Sequence, residues 1–254
     1  MNEPAGAPNA ARFDGLAATY ERFRPSYPAD AIAAILADLP IGPTVVDVGA
    51  GTGISTRALV AAGAHAIAIE PNDEMRAIAR ECGVDARPGT ATATGLSDRC
   101  AEAVACFQAF HWFATPEALA EFGRILRPSG RVALVWNERD TTDPFTADYA
   151  AIERRRCGSD GRAAIDCPDI LIETLLVENG FAGLRRATFA NEQRMDADAV
   201  IGRMRSSSYA PREAAVLDLL VAELRAAHEL HAASDGFVTF RYRTEVTLAE
   251  LGPP

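Results

Sequence analysis

The stretch VVDVGAGTGIS, Val45 to Ser55, constrains the fold more than any other part of this chain. It passes from a β-branched apolar run through an aspartate and three alternate glycines into a segment of helical character. A buried strand that must turn at once into a helix, over a backbone stripped of side chains, marks the ligand-binding corner of an open α/β sheet. The spacing of the glycines then bears on which ligand is approached.

The flanking segments repeat the same rhythm. PADAIAAILAD, from Pro28 to Asp38, has helical spacing with Ile32, Ile35, Leu36 and Leu39 on one face; Pro40 and Pro43 end it before a strand over Thr44–Val48. Helices are predicted over Ser55–Ala62, Asp73–Cys82 and Pro116–Leu126, with strands over His65–Ile69, Val84–Arg87, Ala103–Phe107 and Arg131–Asn137. Strands alternating with helices in short units predict a parallel, doubly wound sheet. Beyond Asp140 the rhythm changes. Helices are expected over Pro144–Arg156 and Asp169–Glu178, a sixth strand over Leu184–Phe189, and a mostly helical stretch, Ala197 to Ser234, broken near Ser206–Pro211. FVTFRYRTEVTL, Phe237 to Leu248, alternates with period two as a last strand. The 254 residues suffice for one domain with a full core. We divide it into an N-terminal helical flap (1–40), a core (41–140) and a C-terminal part (141–254) carrying a helical cap at about 196–235.

Charge narrows the partners. A net charge of −10 argues against a broad footprint on nucleic acid or anionic lipid. No run of about 18 apolar residues offers a membrane span, and MNEPAGAPNAARF lacks the order of a secretory signal. The expectation is a cytoplasmic protein, monomer or homodimer, that acts on small molecules. The chain has no lysine, which excludes a Schiff-base amine and a P-loop lysine. Its five cysteines, Cys82, Cys100, Cys106, Cys157 and Cys167, form no C-x-x-C pair and are expected to be reduced. No metal site is expected: His228 and His231 stand three apart on a predicted helix but have no third ligand placed by sequence.

The unusual stretches all fall at predicted strand ends, where open sheets bind ligands. They are the glycine turn, Glu70, Gly89 with Thr90, QAFHWF and NERD. A dinucleotide fingerprint needs G-x-G-x-x-G, and here the third position is Ile54 or Thr56, according to the starting glycine. The pattern is instead D-x-G-x-G-x-G, beginning at Asp47, which suits a ligand with an uncharged linker. Glu70, 17 positions after Gly53, is placed to accept bonds from both ribose hydroxyls.

These residues, with FDGLAATYERFRPSYP, GTATATGL and ILRPSGRVALVWNERD, resemble the class I S-adenosylmethionine-dependent methyltransferases, in particular the type-11 small-molecule group. The resemblance covers about Phe13 to Val135. It implies a Rossmann-like seven-stranded mixed sheet with helices on both faces, a helical cap before the last strand, and S-adenosylmethionine as cofactor. By that resemblance Gly49, Gly51 and Gly53 lie against its methionine part, Glu70 binds the ribose, and Thr90 and Ala91 flank adenine. Asp47, Ala50, Pro71 and Gln108 join the cofactor-binding set. Many members carry an aspartate where this chain has Thr90. An NAD-dependent oxidoreductase and a non-catalytic protein that binds the cofactor or its product are the alternatives.

Methyl transfer from a sulfonium needs alignment and desolvation more than acid–base chemistry. His111 is the candidate base, set against a reading in which His111 and Trp112 form a wall over the cofactor. Tyr20 and Arg24 are assigned to the cofactor as a folded-over flap, with Tyr27 beside them and the arginine suited to a carboxylate; helix packing is the rival. Asn137 to Asp140 are read either as placed to polarise substrate or as a polar loop alone. RMRSSSY, Arg203 to Tyr209, is read as an adaptable pocket or a surface loop. Arg154 to Arg156 are read as a solvated helix end.

Overall fold

The computed structural model describes residues 13–157, 169–211 and 213–252. Cys167 lies outside them, as do the first residues of the expected flap. Two short helices, α1 (Ala17–Phe23) and α2 (Ala29–Leu36), precede the sheet. Then follow β1 (Thr44–Val48), α3 (Ile54–Ala61), β2 (His65–Ile69), α4 (Asp73–Glu81), β3 (Ala86–Arg87) and β4 (Ala101–Phe107). A 3-10 turn over Phe110–Trp112 leads to α5 (Pro116–Ile125) and β5 (Leu126–Arg139). The C-terminal part comprises α6 (Pro144–Cys157), α7 (Asp169–Glu178), β6 (Phe181–Met195), α8 (Ala197–Arg205), α9 (Ala214–His231) and β7 (Val238–Leu251).

The seven strands form one sheet in the order β3-β2-β1-β4-β5-β7-β6. Strands β1 to β5 pair in parallel and β7 runs antiparallel to both β5 and β6. The expected mixed sheet is therefore present, with the strand order reversing between β1 and β4. Side chains alternate across it. Val46, Val48, Val104, Cys106, Val132 and Leu134 pack on one face against Leu119 and Phe122 of α5, while Val45, Ala103, Ala105, Ala133 and Val135 pack on the other against Ile32, Ile35 and Leu59. Both faces of the central strands are thus dry, which is why they read as continuous apolar runs.

Several limits differ from those expected. β3 retains only Ala86–Arg87 of the predicted Val84–Arg87, because Val84 is drawn off to pack under Gly53. The sixth strand runs Phe181–Met195, well past Leu184–Phe189, because as an edge strand it needs one partner and no apolar alternation. Its far end pairs with the start of β7, from Glu192 opposite Arg241 to Met195 opposite Val238, beyond the reach of β5. This two-stranded ribbon carries a third core, in which Phe240 and Tyr242 meet Tyr149 of α6, Met204 of α8 and Leu220 and Leu224 of α9. The insertion between β6 and β7 is helical as expected, and it is anchored on the sheet's own strands.

Candidate functional site

A cleft opens at the carboxyl ends of β1, β2 and β4, beside the point where strand order reverses. Gly49, Gly51, Glu70, Pro71, Thr90, Ala91, Gln108 and Tyr20 line it, so residues from five separate stretches of the expected set meet in one place. Phe13, Met75 and Phe113 supply apolar wall and were not singled out from the sequence as cofactor contacts; Trp112, read there as a wall over the cofactor, stands beside them. Periodicity assigns Met75 to a helix core, and only the turn of α4 toward the β2 end brings it to the cleft.

Local chemistry builds this corner. Gly49 has φ +73°, and a β-carbon there would stand 2.7 Å from Ala109 Cβ and 3.2 Å from Phe113 Cε1. The backbone must therefore be bare for β1 to pass the β4 end. Glu70 is buried, and its carboxylate accepts the Gly51 N–H at 2.8 Å and the Asn72 N–H at 2.8 Å. These bonds fix both oxygens while leaving lone pairs for a diol. Burial pushes its pKa up, and the two backbone bonds oppose that rise. Asn72 also caps α4 by accepting the Met75 N–H at 2.9 Å. Gln108 holds φ +54° in a non-glycine residue, fixed by its N–H to Val135 O and by its Nε2 to Asn137 O at 3.1 Å. Backbone strain of this kind persists where surrounding structure holds it, commonly at a ligand site.

Not every assigned residue reaches the cleft. Gly53 instead starts α3 with φ +80°, and a β-carbon there would meet Val84 Cγ2 at 2.9 Å, so its bareness serves packing of α3 against the end of α4. Asp47 is fully buried and lines neither cavity; Oδ2 accepts the Ser55 and Thr56 hydroxyls at 2.6 Å each, tying β1 to α3. Ala50 and Arg24 line an adjoining cavity, together with Tyr20, Gly49, Gln108, Asn137 and Arg203.

Burial raises the Asp47 pKa from 3.8 to about 6, outweighing its two hydroxyl bonds. The folded chain therefore holds this proton more tightly than the unfolded chain, so its contribution to stability declines as pH rises toward and through about 6. Asp47→Asn keeps an acceptor for both hydroxyls and removes the charge. It is expected to raise stability at neutral pH by about 1–3 kcal/mol and to flatten that part of the pH profile. Urea unfolding at several pH values checks this, and an unchanged slope would show the carboxylate to be compensated.

His111 sits on the 3-10 turn behind Trp112, outside the residues that line either cavity. Burial lowers its pKa to about 4, and its Nδ1 accepts the Trp136 indole N–H at 3.5 Å. A neutral imidazole with Nδ1 so engaged carries its proton on Nε2 and presents no free lone pair. Of the pair read as a base or a wall, Trp112 lines the cleft and His111 does not.

The N-terminal segment folds over the cleft. Phe13 packs edge-on against Tyr20 and Trp112, and α1 lies on α8, where the Phe23 ring occupies the space a side chain at Gly202 would need. Arg24 donates to Ser206 O at 2.9 Å, Gln193 Nε2 to Phe23 O and Asn191 Nδ2 to Ser26 O. Phe23 and Arg24 thus tie the N-terminal segment to α8, and Gln193 and Asn191 tie it to β6. Asn137 has its amide engaged by Ser26 O, Thr244 Oγ1 and Asn191 Nδ2, and Asp140 closes a turn with Thr142, so these groups already have protein partners. RMRSSSY is no surface loop: Arg203, Met204, Ser206 and Ser207 are buried. Arg155 and Arg156 pair with Glu223 of α9 instead of pointing freely to solvent. His231 pairs with Asp148, and among the described residues no cluster could hold a metal ion.

Known proteins agree with this geometry. Residues 46–134 match the methyltransferase domain family model. An uncharacterised methyltransferase-like protein of Schizosaccharomyces pombe is 34% identical over 200 residues, covering 76% of this chain and 75% of that protein. An uncharacterised methyltransferase of Mycobacterium tuberculosis is 42% identical over 130 residues, covering 50% of this chain and 53% of its own length. Among solved structures, the YcgJ protein of Bacillus subtilis superposes with TM-score 0.57 at 18% identity, over 89% of this chain and 99% of its own. A candidate type II methyltransferase of Anaeromyxobacter dehalogenans gives 0.59 at 23%, over 91% and 100%. Fold, cleft and kinship converge: the chain belongs to the class I S-adenosylmethionine-dependent methyltransferases.

Proposed function

We propose that this enzyme methylates an oxygen, nitrogen or carbon atom of a small metabolite or natural product, selected under the cap. The observation that carries the reading is the N-terminal segment over the cleft, with Phe13 and Tyr20 in its wall and Arg24 bonded to Ser206 at the end of α8. Glu70 would hold the ribose diol and the bare Gly49–Gly51 backbone the methionine part, with Ile69 and Met75 beside the base. Bound there, the cofactor's sulfonium supplies an electrophilic methyl whose leaving group is a neutral thioether. The protein's own part is to align the acceptor and keep water out, which Trp112, Phe113 and Tyr20 are placed to do. Four described cysteines are free, which supports a cytoplasmic setting; among described residues no helix is long and apolar enough to cross a membrane.

Family membership displaces the oxidoreductase alternative. A binding protein without turnover is separated from an enzyme by release of S-adenosylhomocysteine across a panel of small acceptors. His111→Gln is expected to leave turnover within about threefold of the parent, because a part-buried neutral imidazole with Nδ1 engaged and no place in the cleft lining is not the base. A fall of about a hundredfold with cofactor affinity intact would restore it to that role.

A further inference from the structure

The cavity next to the cofactor cleft contains more positive charge than the chain balances. Arg203, on α8, is 6% exposed; its Nε bonds to Tyr242 Oη at 3.2 Å and its Nη1 to Ser207 Oγ at 3.3 Å, both neutral partners. Arg24 lines the same cavity and bonds only a carbonyl, with its guanidinium 4.7 Å from the Tyr20 ring centroid. Its Nε is shut off from solvent with no partner. Among the described residues neither arginine has a carboxylate within ion-pair distance. Glu153, the buried acid nearby, is engaged by Arg139, and Asp47 is turned to Ser55 and Thr56. Burial and the neighbouring Arg203 charge pull the Arg24 pKa below the ordinary arginine range.

Buried cations left without an anion are costly, and such sites are found where a ligand supplies the missing charge. The cofactor cannot supply it in net terms: one carboxylate arrives with an ammonium and a sulfonium. We propose that the methyl acceptor is a small organic acid whose carboxylate is held by Arg203, with the Ser207 hydroxyl beside it. This inference rests on the methyltransferase reading and names its substrate class. A guanidinium fork donates two parallel bonds to a carboxylate, and Arg203 has N–H groups to spare after its contacts with Tyr242 and Ser207. Arg24 is then left for the carboxylate of the cofactor, one guanidinium to each anion.

The test uses the full chain saturated with S-adenosylhomocysteine, so that the cofactor's own carboxylate is already in place. Benzoate and succinate are titrated while the melting temperature is followed, with benzamide and succinamide as neutral counterparts. The acids are expected to raise the melting temperature of the parent and the amides to leave it unchanged. Arg203→Gln should weaken the response to the acids by about tenfold or more while keeping the parent's affinity for S-adenosylhomocysteine. Arg203→Lys, which keeps the charge and loses the fork, should fall between. Without added acid, Arg203→Gln should melt no lower than the parent, since it removes an unbalanced cation. Equal responses to acids and amides, or an unaltered acid response in Arg203→Gln, overturn the proposal. So does a melting point several degrees lower, which would make Arg203 a structural tether. Loss of S-adenosylhomocysteine affinity in Arg203→Gln would assign the arginine to the cofactor and also overturn it. Failure of the parent to bind S-adenosylhomocysteine at all would instead sink the cofactor reading on which the inference stands.

Discussion

Gly49→Val is expected to abolish cofactor binding and to lower stability by about 2–5 kcal/mol, the sum of left-handed backbone strain and overpacking. A β-carbon at this position stands 2.7 Å from Ala109 Cβ and is forced to φ +73°. Ala109 cannot retreat, because it is buried at the start of the 3-10 turn, beneath Phe110 and Phe113. The two branches of valine must then enter the cleft or push β4 away from β1. Gly51→Ala makes the contrast: φ is +57°, but the new carbon would have only Tyr20 Cε1 near it, at 3.9 Å. It should lose less stability and retain a folded cleft. Urea unfolding with calorimetric titration of S-adenosylhomocysteine measures both effects. A Gly49→Val protein with parental stability and affinity would show that the turn relaxes freely and that its bareness has no role.

Glu70→Ala is expected to weaken S-adenosylhomocysteine binding by about 2–3 kcal/mol, roughly thirtyfold to a hundredfold or more. The carboxylate loses its bonds to the ligand diol, and the Gly51 and Asn72 N–H groups lose their acceptor at the same time. Stability should fall too, because those donors lie in a largely enclosed corner. Glu70→Gln separates the contributions, since its amide oxygen can still take one of the N–H groups. Affinity in the parent should fall as pH drops through a carboxyl pKa that burial sets above the usual range, the ionised form being the better acceptor. Glu70→Gln should lose that dependence. A pH-independent parent, or unchanged affinity in Glu70→Ala, would place the ribose elsewhere.

The sheet and the glycine corner were legible because their signals are local. Thr44 to Val48 is β-branched and dry on both sides, the glycines follow at once, and an acid ends the next strand. Gly53 shows where such reading stops. Its place in an alternating series matches Gly49 and Gly51, yet what it makes room for is Val84, far along the chain. The length of β6 was hidden for another reason: an edge strand with exposed polar residues on both sides carries no apolar period, and only β7 defines it. Arg203 was read only as the start of RMRSSSY, a pocket or a surface loop, and its burial was not legible. Helical periodicity places an arginine toward solvent by default, and its burial here depends on Tyr242 of the distant β7. Long-range burial of charge has no signature in a sequence window, and the acceptor's identity depends on that burial.

Calorimetric titration of the parent with S-adenosylmethionine, S-adenosylhomocysteine and NAD is the measurement that bears most directly on the cleft. The account predicts micromolar binding of the first two and none of the third, with affinity reduced in Glu70→Ala. Absence of binding by both sulfur ligands to a folded protein would contradict it, and the glycine turn would then be scaffold alone.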